Sequence, residues 1–156
     1  MTQPPRVTGA LDRALRLAAW PLLVSVAVIL LRFLGERREV PSVITFLLGV
    51  IWLTLIVAAY WGWTLREIER PHRLLFLSLL VFSLLSRIPI VFMWWITSRY
   101  GLGTHYDMYR NLAQALLFQF GVSASVQIVT GFLVGSLALA LSRRRRPNEN
   151  HSTIGG

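Results

Sequence analysis

Cysteine and lysine are absent from this chain of 156 residues, and acidic residues are scarce. The lack of cysteine excludes disulfides, thiol nucleophiles and metal sites built on thiolates. Charged residues make up 15% of the chain, against roughly 25% in an average soluble domain. Hydrophobic residues make up 54%, and the basic residues give a formal net charge of +9. This balance favours a membrane protein over a soluble, nucleic-acid-binding one.

Sequence motifs for catalysis and nucleotide binding are also absent. The chain contains no P-loop, no dinucleotide-binding glycine pattern, no HExxH and no GxSxG. Its three histidines, His72, His105 and His151, fall in separate segments, which argues against a shared metal site. We therefore expect no metal, no cofactor and a protein that is not an enzyme.

What the sequence does contain is four long apolar runs, each near or above the ~20 residues that cross a bilayer. They predict spans at about 17–34, 43–65, 74–96 and 112–141. The expected fold is an all-α integral membrane protein, with four transmembrane helices in an antiparallel bundle. We expect one domain over residues 1–141 and a basic, then disordered, cytoplasmic tail over 142–156.

The arginines are divided unequally between the two sides of this predicted fold. One side carries ten: Arg6, Arg13, Arg16, Arg66, Arg70, Arg73, Arg143, Arg144, Arg145 and Arg146. The other carries five: Arg32, Arg37, Arg38, Arg99 and Arg110. The positive-inside rule makes the richer side cytoplasmic. Both termini are therefore expected in the cytoplasm, and the expected location is a bacterial inner membrane.

Arg87 lies in the middle of the third predicted span. A charge at the bilayer centre costs roughly 2.5–3.5 kcal/mol on insertion scales, so such a residue usually has polar partners. No span offers a carboxylate, but Pro89 frees the carbonyl of Leu85 four residues earlier. Further candidate partners are Ser83, one turn before Arg87, and Gln119, Ser123 and Gln127 in the fourth span.

Three interpretations of Arg87 remain open. It is a structural residue that locks helix packing, or it binds an anionic group such as a lipid phosphate or an acidic solute. The second is chemically reasonable because the guanidinium fork matches phosphate and carboxylate. In the third, a tilted span lets Arg87 extend toward a membrane interface.

The fourth span carries a repeat of small and polar residues at every fourth position. The repeat comprises Ala115, Gln119, Ser123, Gln127, Gly131 and Gly135, and Gly121 and Ser125 form a neighbouring small pair. Small residues let helix backbones approach, and Gly131 and Gly135 have GxxxG spacing. The pattern indicates packing inside the bundle or, alternatively, a homo-oligomer interface.

The third loop places His105, Tyr106, Asp107 and Tyr109 close together on the predicted outer side. His105 and Asp107 are candidates for an outer-face active site. In the simpler interpretation Thr104 and Asp107 begin a helix as a capping box, and His105 is exposed.

The four arginines from Arg143 to Arg146 are expected to fix topology and to contact anionic lipid head groups rather than nucleic acid.

The leading functional hypothesis is a non-enzymatic helix-packing component or accessory subunit, either a homo-oligomer or bound to another membrane protein. One alternative is binding or transport of an anionic solute or lipid through Arg87. Another is a membrane enzyme with a site around His105 and Asp107.

Overall fold

The computed structural model describes residues 7–144, apart from the side chains of Val7, Thr8 and Asp107. The predicted tail beyond residue 144, with Arg145 and Arg146, lies outside the described residues. Four helical segments in this range are long and apolar enough to cross a membrane: Gly9–Arg37, Ser42–Glu67, Pro71–Tyr100 and Leu112–Arg144. The expectation of an all-helical protein with four such segments is confirmed.

The first segment is a single helix, α1 (Val7–Arg37), which continues through Pro21. It begins well before the predicted start of the span. Its buried positions include Ala14, Ala18, Ser25 and Ile29, which recur at helical spacing along one face. This face packs mainly against the first half of the third segment.

The second segment is interrupted, whereas the sequence predicted one continuous helix. It consists of α2 (Ser42–Leu47), α3 (Val50–Thr64) and a 3₁₀ turn. Gly49 separates the two helices with extended backbone angles, φ −83° and ψ 139°. Glycine has a low helix propensity, so a break at this position is physically reasonable.

The third segment divides into α4 (Pro71–Leu85) and α5 (Arg87–Tyr100). The break falls at Ser86, close to the kink that Pro89 predicts, because a proline inside a helix removes one hydrogen bond and clashes with the preceding turn. Arg87 is therefore the first residue of a helix in the middle of the segment. Gly101 ends α5 in the left-handed conformation, with φ +59°.

The fourth segment contains α6 (Leu112–Leu116), a π-helix over Leu117–Ser123 and α7 (Ala124–Arg144). Asn111 caps α6, and its Oδ1 accepts a hydrogen bond of 2.8 Å from the backbone N–H of Gln114. A separate 3₁₀ helix, His105–Met108, begins directly after Thr104, so the helix predicted to begin at Thr104 and Asp107 does not continue into the last segment.

The π-helix explains how residues four apart can share one face. In a uniform α-helix each step of four residues rotates the side chain by about 40°. The π-helix has a wider turn, which counters this rotation. Ala115, Gln119, Gln127, Gly131 and Gly135 are consequently all buried.

Glycines bring α7 into close contact with α3 and α4. A Cβ built on Gly135 would lie 2.8 Å from Leu75 Cδ2 and 2.9 Å from the Ala58 carbonyl oxygen. A Cβ on Gly62 would overlap the Gly135 carbonyl oxygen. Gly131 is packed similarly, against Leu79 and Thr54, so the GxxxG pair contacts helices of its own chain. By contrast, Gly121 and Ser125 are exposed.

Candidate functional site

Arg87 is buried, with 7% of its surface exposed, and its guanidinium faces the fourth segment. Nη1 donates a hydrogen bond of 3.3 Å to Gln119 Oε1, and Nη2 donates one of 3.4 Å to the Ser123 carbonyl oxygen. Nη2 also donates to Gln127 Oε1. These partners are the two amides and the serine that the sequence suggested.

The two glutamines extend this network to other parts of the chain. Gln127 Nε2 donates a hydrogen bond of 2.5 Å to Thr54 Oγ1 in α3. Gln119 Nε2 donates one of 2.9 Å to the Tyr109 hydroxyl in the third loop. Each amide therefore turns its oxygen toward Arg87 and its nitrogen toward a neutral hydroxyl, and the network connects three helical segments and a loop.

Ser83 does not join the network. Its hydroxyl is buried and has no hydrogen-bond partner among the described residues. Its backbone carbonyl accepts a hydrogen bond of 3.1 Å from Ser86 Oγ. The structure therefore brings Gln119 and Gln127 to Arg87, but not the Ser83 hydroxyl.

The positive charge of Arg87 has no counter-charge within the described part of the chain. None of the ion pairs there involves Arg87. Burial raises the pKa of Tyr109 above its ordinary value and raises that of Tyr106 to about 12. Both phenols are therefore neutral near pH 7 and supply no negative charge. Arg87 Nε is also buried without a hydrogen-bond partner.

A cavity of about 370 Å³ borders Arg87. Ligand pockets are roughly 300–1,000 Å³, so this volume is sufficient for a small ligand or a lipid head group. Besides Arg87, its polar lining consists of Arg32, His105, Tyr106, Gln119 and Ser123. The breaks at Leu48–Gly49 and in the π-helix both lie in its wall. Interrupted helices often mark functional sites in membrane proteins.

A second cavity of about 670 Å³ lies beside the first, toward the end of α1. The two cavities share Arg32 and His105 in their linings, and Glu36 lines only the second. We call this second space the Glu36 cavity, because Glu36 lines it and does not line the first. Arg32 and His105 thus separate it from the Arg87 cavity.

Glu36 contacts both Arg32 and His105, the two side chains that lie between the cavities. Its carboxylate accepts a hydrogen bond of 3.2 Å from Arg32 Nε, and His105 Nδ1 lies 2.6 Å from Glu36 Oε2. The His105 ring also contacts the Tyr106 ring, with centroids 3.8 Å apart. His105 is therefore partly buried and in contact with Glu36, whereas the simpler interpretation of the sequence left it exposed.

A carboxylate at His105 Nδ1 is an arrangement that catalytic as well as structural histidines have. The side chain of Asp107 lies outside the described residues, so the candidate site at His105 and Asp107 stays a prediction. Among the described side chains, no group of three His, Asp or Glu residues could hold a metal ion.

Sequence reasoning did not find Glu36 or Thr54. Glu36 lies between the first two predicted spans, and its contact with His105 joins residues 69 positions apart. Thr54 could have been predicted as a member of the network, because it is a polar residue in the middle of an apolar run.

Comparison with known proteins gives no further assignment: no family matches the chain, and neither curated proteins nor solved structures yield a match.

Proposed function

We propose that this chain is a four-helix protein of a bacterial inner membrane that binds an anionic group at Arg87. The ligand class is a phosphate or carboxylate, carried either by a lipid head group or by a small acidic solute. The observation that carries the proposal is that the buried Arg87 borders a cavity and has no counter-charge among the described residues. An anion in that cavity would supply the missing negative charge.

The geometry of the guanidinium supports this assignment. Arginine has five N–H donors. The contacts to Gln119, Ser123 and Gln127 engage both terminal nitrogens. Three of the four N–H groups on the terminal nitrogens are thereby engaged, so one N–H on Nη1 and the N–H of Nε remain without a partner among the described residues. The neutral partners would hold the fork in place without satisfying its charge.

The proposed topology is an antiparallel bundle with both termini in the cytoplasm. The unequal arginine distribution supports this orientation. Contacts between the first and third connections support it as well. Glu36 contacts His105, and Arg37 Nη1 donates a hydrogen bond of 3.2 Å to the Leu102 carbonyl oxygen. In this topology the Arg87 cavity faces the outer half of the bilayer.

We prefer anion binding to a role as a packing component. Gly131 and Gly135, which the alternative interpretation placed in a homo-oligomer interface, are occupied by contacts within the chain. Gly121 and Ser125 remain exposed but lie among large exposed apolar residues such as Val122 and Val126, as a lipid-facing surface would. No described contact calls for a second copy.

Binding can be measured by native mass spectrometry of the protein in neutral detergent. Two probes distinguish the ligand sources: phosphatidylglycerol for a lipid head group, and inorganic phosphate for a free anion. Arg87→Gln should weaken binding of at least one probe by tenfold or more, because a charge-assisted contact of about 1.5–3 kcal/mol is lost. Arg99→Gln, an exposed arginine of the same segment, should leave binding unchanged.

A second variant keeps the binding test informative if Arg87→Gln does not fold. Ser123→Leu keeps the backbone carbonyl that contacts Arg87 but fills part of the cavity, and should also weaken binding. Circular dichroism checks that each variant is folded. Unchanged affinity for both probes in folded Arg87→Gln and Ser123→Leu would overturn the proposal.

A further inference from the structure

A separate basic cavity of about 310 Å³ lies at the opposite end of α1 from Glu36. The distance along the helix from Arg13 to Glu36 is roughly 35 Å at 1.5 Å per residue. Its lining consists of Gly9, Ala10, Arg13, Ile68, Glu69, Arg70, Arg73 and Leu74. We call it the inner cavity, since it lies at the proposed cytoplasmic end.

Charge in the inner cavity is strongly unbalanced. Three arginines face one carboxylate, Glu69, and no ion pair joins any of these four residues to a described side chain. Arg13 on α1 and Arg70 and Arg73 at the start of the third segment thus line one space, and all three are exposed. Three such groups around one space favour a phosphate, which accepts several charge-assisted hydrogen bonds.

The N-terminus of α4 also favours an anion in the inner cavity. Its N-cap residue, Arg70, makes no side-chain capping bond, and Pro71 occupies the first turn. The N–H groups of His72 and Arg73 therefore have no partner within the helix. They and the helix dipole favour an anion at this position.

An adjoining apolar groove indicates that the anion belongs to a lipid. A space of about 410 Å³ shares Arg13, Ile68 and Leu74 with the inner cavity and continues past Leu17 and Leu65, with Arg16 as its other charged lining residue. Leu17 lies one turn beyond Arg13 on α1, in the direction of the bilayer centre. A head group at the arginines would therefore have its acyl chain along this groove.

We propose that the inner cavity and its groove bind an anionic glycerophospholipid whose head group carries hydroxyls. Its phosphate lies among Arg13, Arg70 and Arg73, and Glu69 accepts a hydrogen bond from a head-group hydroxyl. Phosphatidylglycerol has this combination of groups. The site is independent of the Arg87 cavity and does not rest on its proposed function.

The experiment measures phosphatidylglycerol binding to the full chain by native mass spectrometry, in an Arg87→Gln background that removes the other proposed site. Near a membrane surface each arginine contributes about 1 kcal/mol, so the triple variant Arg13→Gln, Arg70→Gln, Arg73→Gln should bind about a hundredfold more weakly. The control Arg99→Gln with Arg110→Gln, two exposed arginines far from the inner cavity, should bind within twofold of its parent.

Two further measurements test whether the groove and the head-group charge both contribute to lipid binding. Ile68→Trp, which fills the space shared by cavity and groove, should weaken lipid binding although all three arginines remain. Phosphatidylcholine, which has no net charge, should bind at least tenfold more weakly than phosphatidylglycerol. Equal binding of the two lipids, or undiminished binding by the folded triple variant, would overturn the proposal. Displacement of the lipid by equimolar inorganic phosphate would also overturn it, because the site would then recognise a free anion.

Discussion

Replacing Gly62 by leucine is expected to destabilise the protein by about 3 kcal/mol or more. A side chain at this position would overlap the carbonyl oxygen of Gly135 and lie 3.0 Å from the Ala138 Cβ. A backbone oxygen cannot rotate away, so α3 and α7 would have to separate. That separation would remove packing along the most extensive helix contact of the protein. Thermal unfolding in mild detergent, followed by circular dichroism, measures the change.

The matched control for this prediction is Gly121→Ala. A Cβ at Gly121 would meet only Leu117 Cδ1, at 3.8 Å, which is ordinary contact. Its effect on stability should lie within about 0.5 kcal/mol. If Gly62→Leu were as stable as the wild type, the close α3–α7 contact described above would be incorrect.

The second large effect is expected from Gln127→Leu. This change removes an acceptor from the buried charge of Arg87 and a donor from Thr54. Hydrogen bonds to charged groups contribute roughly 1.5–3 kcal/mol, so the single variant should be destabilised by about 3 kcal/mol. In an Arg87→Met background the same change should be far less costly, because no buried charge is left without its partner.

A double-mutant cycle in detergent isolates this coupling between Arg87 and Gln127. We expect an interaction of about 2 kcal/mol, within the range of neighbouring residues in one network. Ser125→Leu, at an exposed position of the same helix, serves as the control and should change stability by less than about 0.5 kcal/mol. Strictly additive effects of Arg87→Met and Gln127→Leu would show that the two side chains do not stabilise each other.

The features that could be predicted from the sequence depend on local pattern. Apolar runs of sufficient length predicted four helical segments, since the period and length of such runs are local properties. Gln119 and Gln127 could be predicted as partners of Arg87 because they are the amides deep within an apolar run. Pro89 predicted a kink in the third segment, and the helix breaks three residues earlier, at Ser86.

The features that could not be predicted depend on how distant segments meet. Nothing local to Glu36 indicates a contact with His105, because their pairing follows from the relative positions of two loops. The close approach of Gly62 to Gly135 could not be predicted from the sequence either, since only Gly135 lies in a recognisable motif. The break at Gly49 could not be predicted either, because many uninterrupted membrane helices also contain glycine. The π-helix did leave a signal, because a four-residue repeat is longer than the 3.6-residue α-helical period.

The central claim is that the cavity at Arg87 is positively charged and binds an anionic group, and the absence of cysteine allows a direct test. A single cysteine is placed at Ser123, in the cavity wall, and its reaction is followed with two thiol reagents of similar size. One reagent carries a sulfonate and the other a quaternary ammonium group. Ser125→Cys, on the exposed surface of the same helix, is the control.

We predict that the sulfonate reagent modifies Ser123→Cys about tenfold or more faster than the ammonium reagent, since a positively charged cleft concentrates anions. Arg87→Gln should abolish this preference, and Ser125→Cys should not show it. Equal rates for the two reagents at Ser123→Cys, or a faster reaction with the ammonium reagent, would contradict the account.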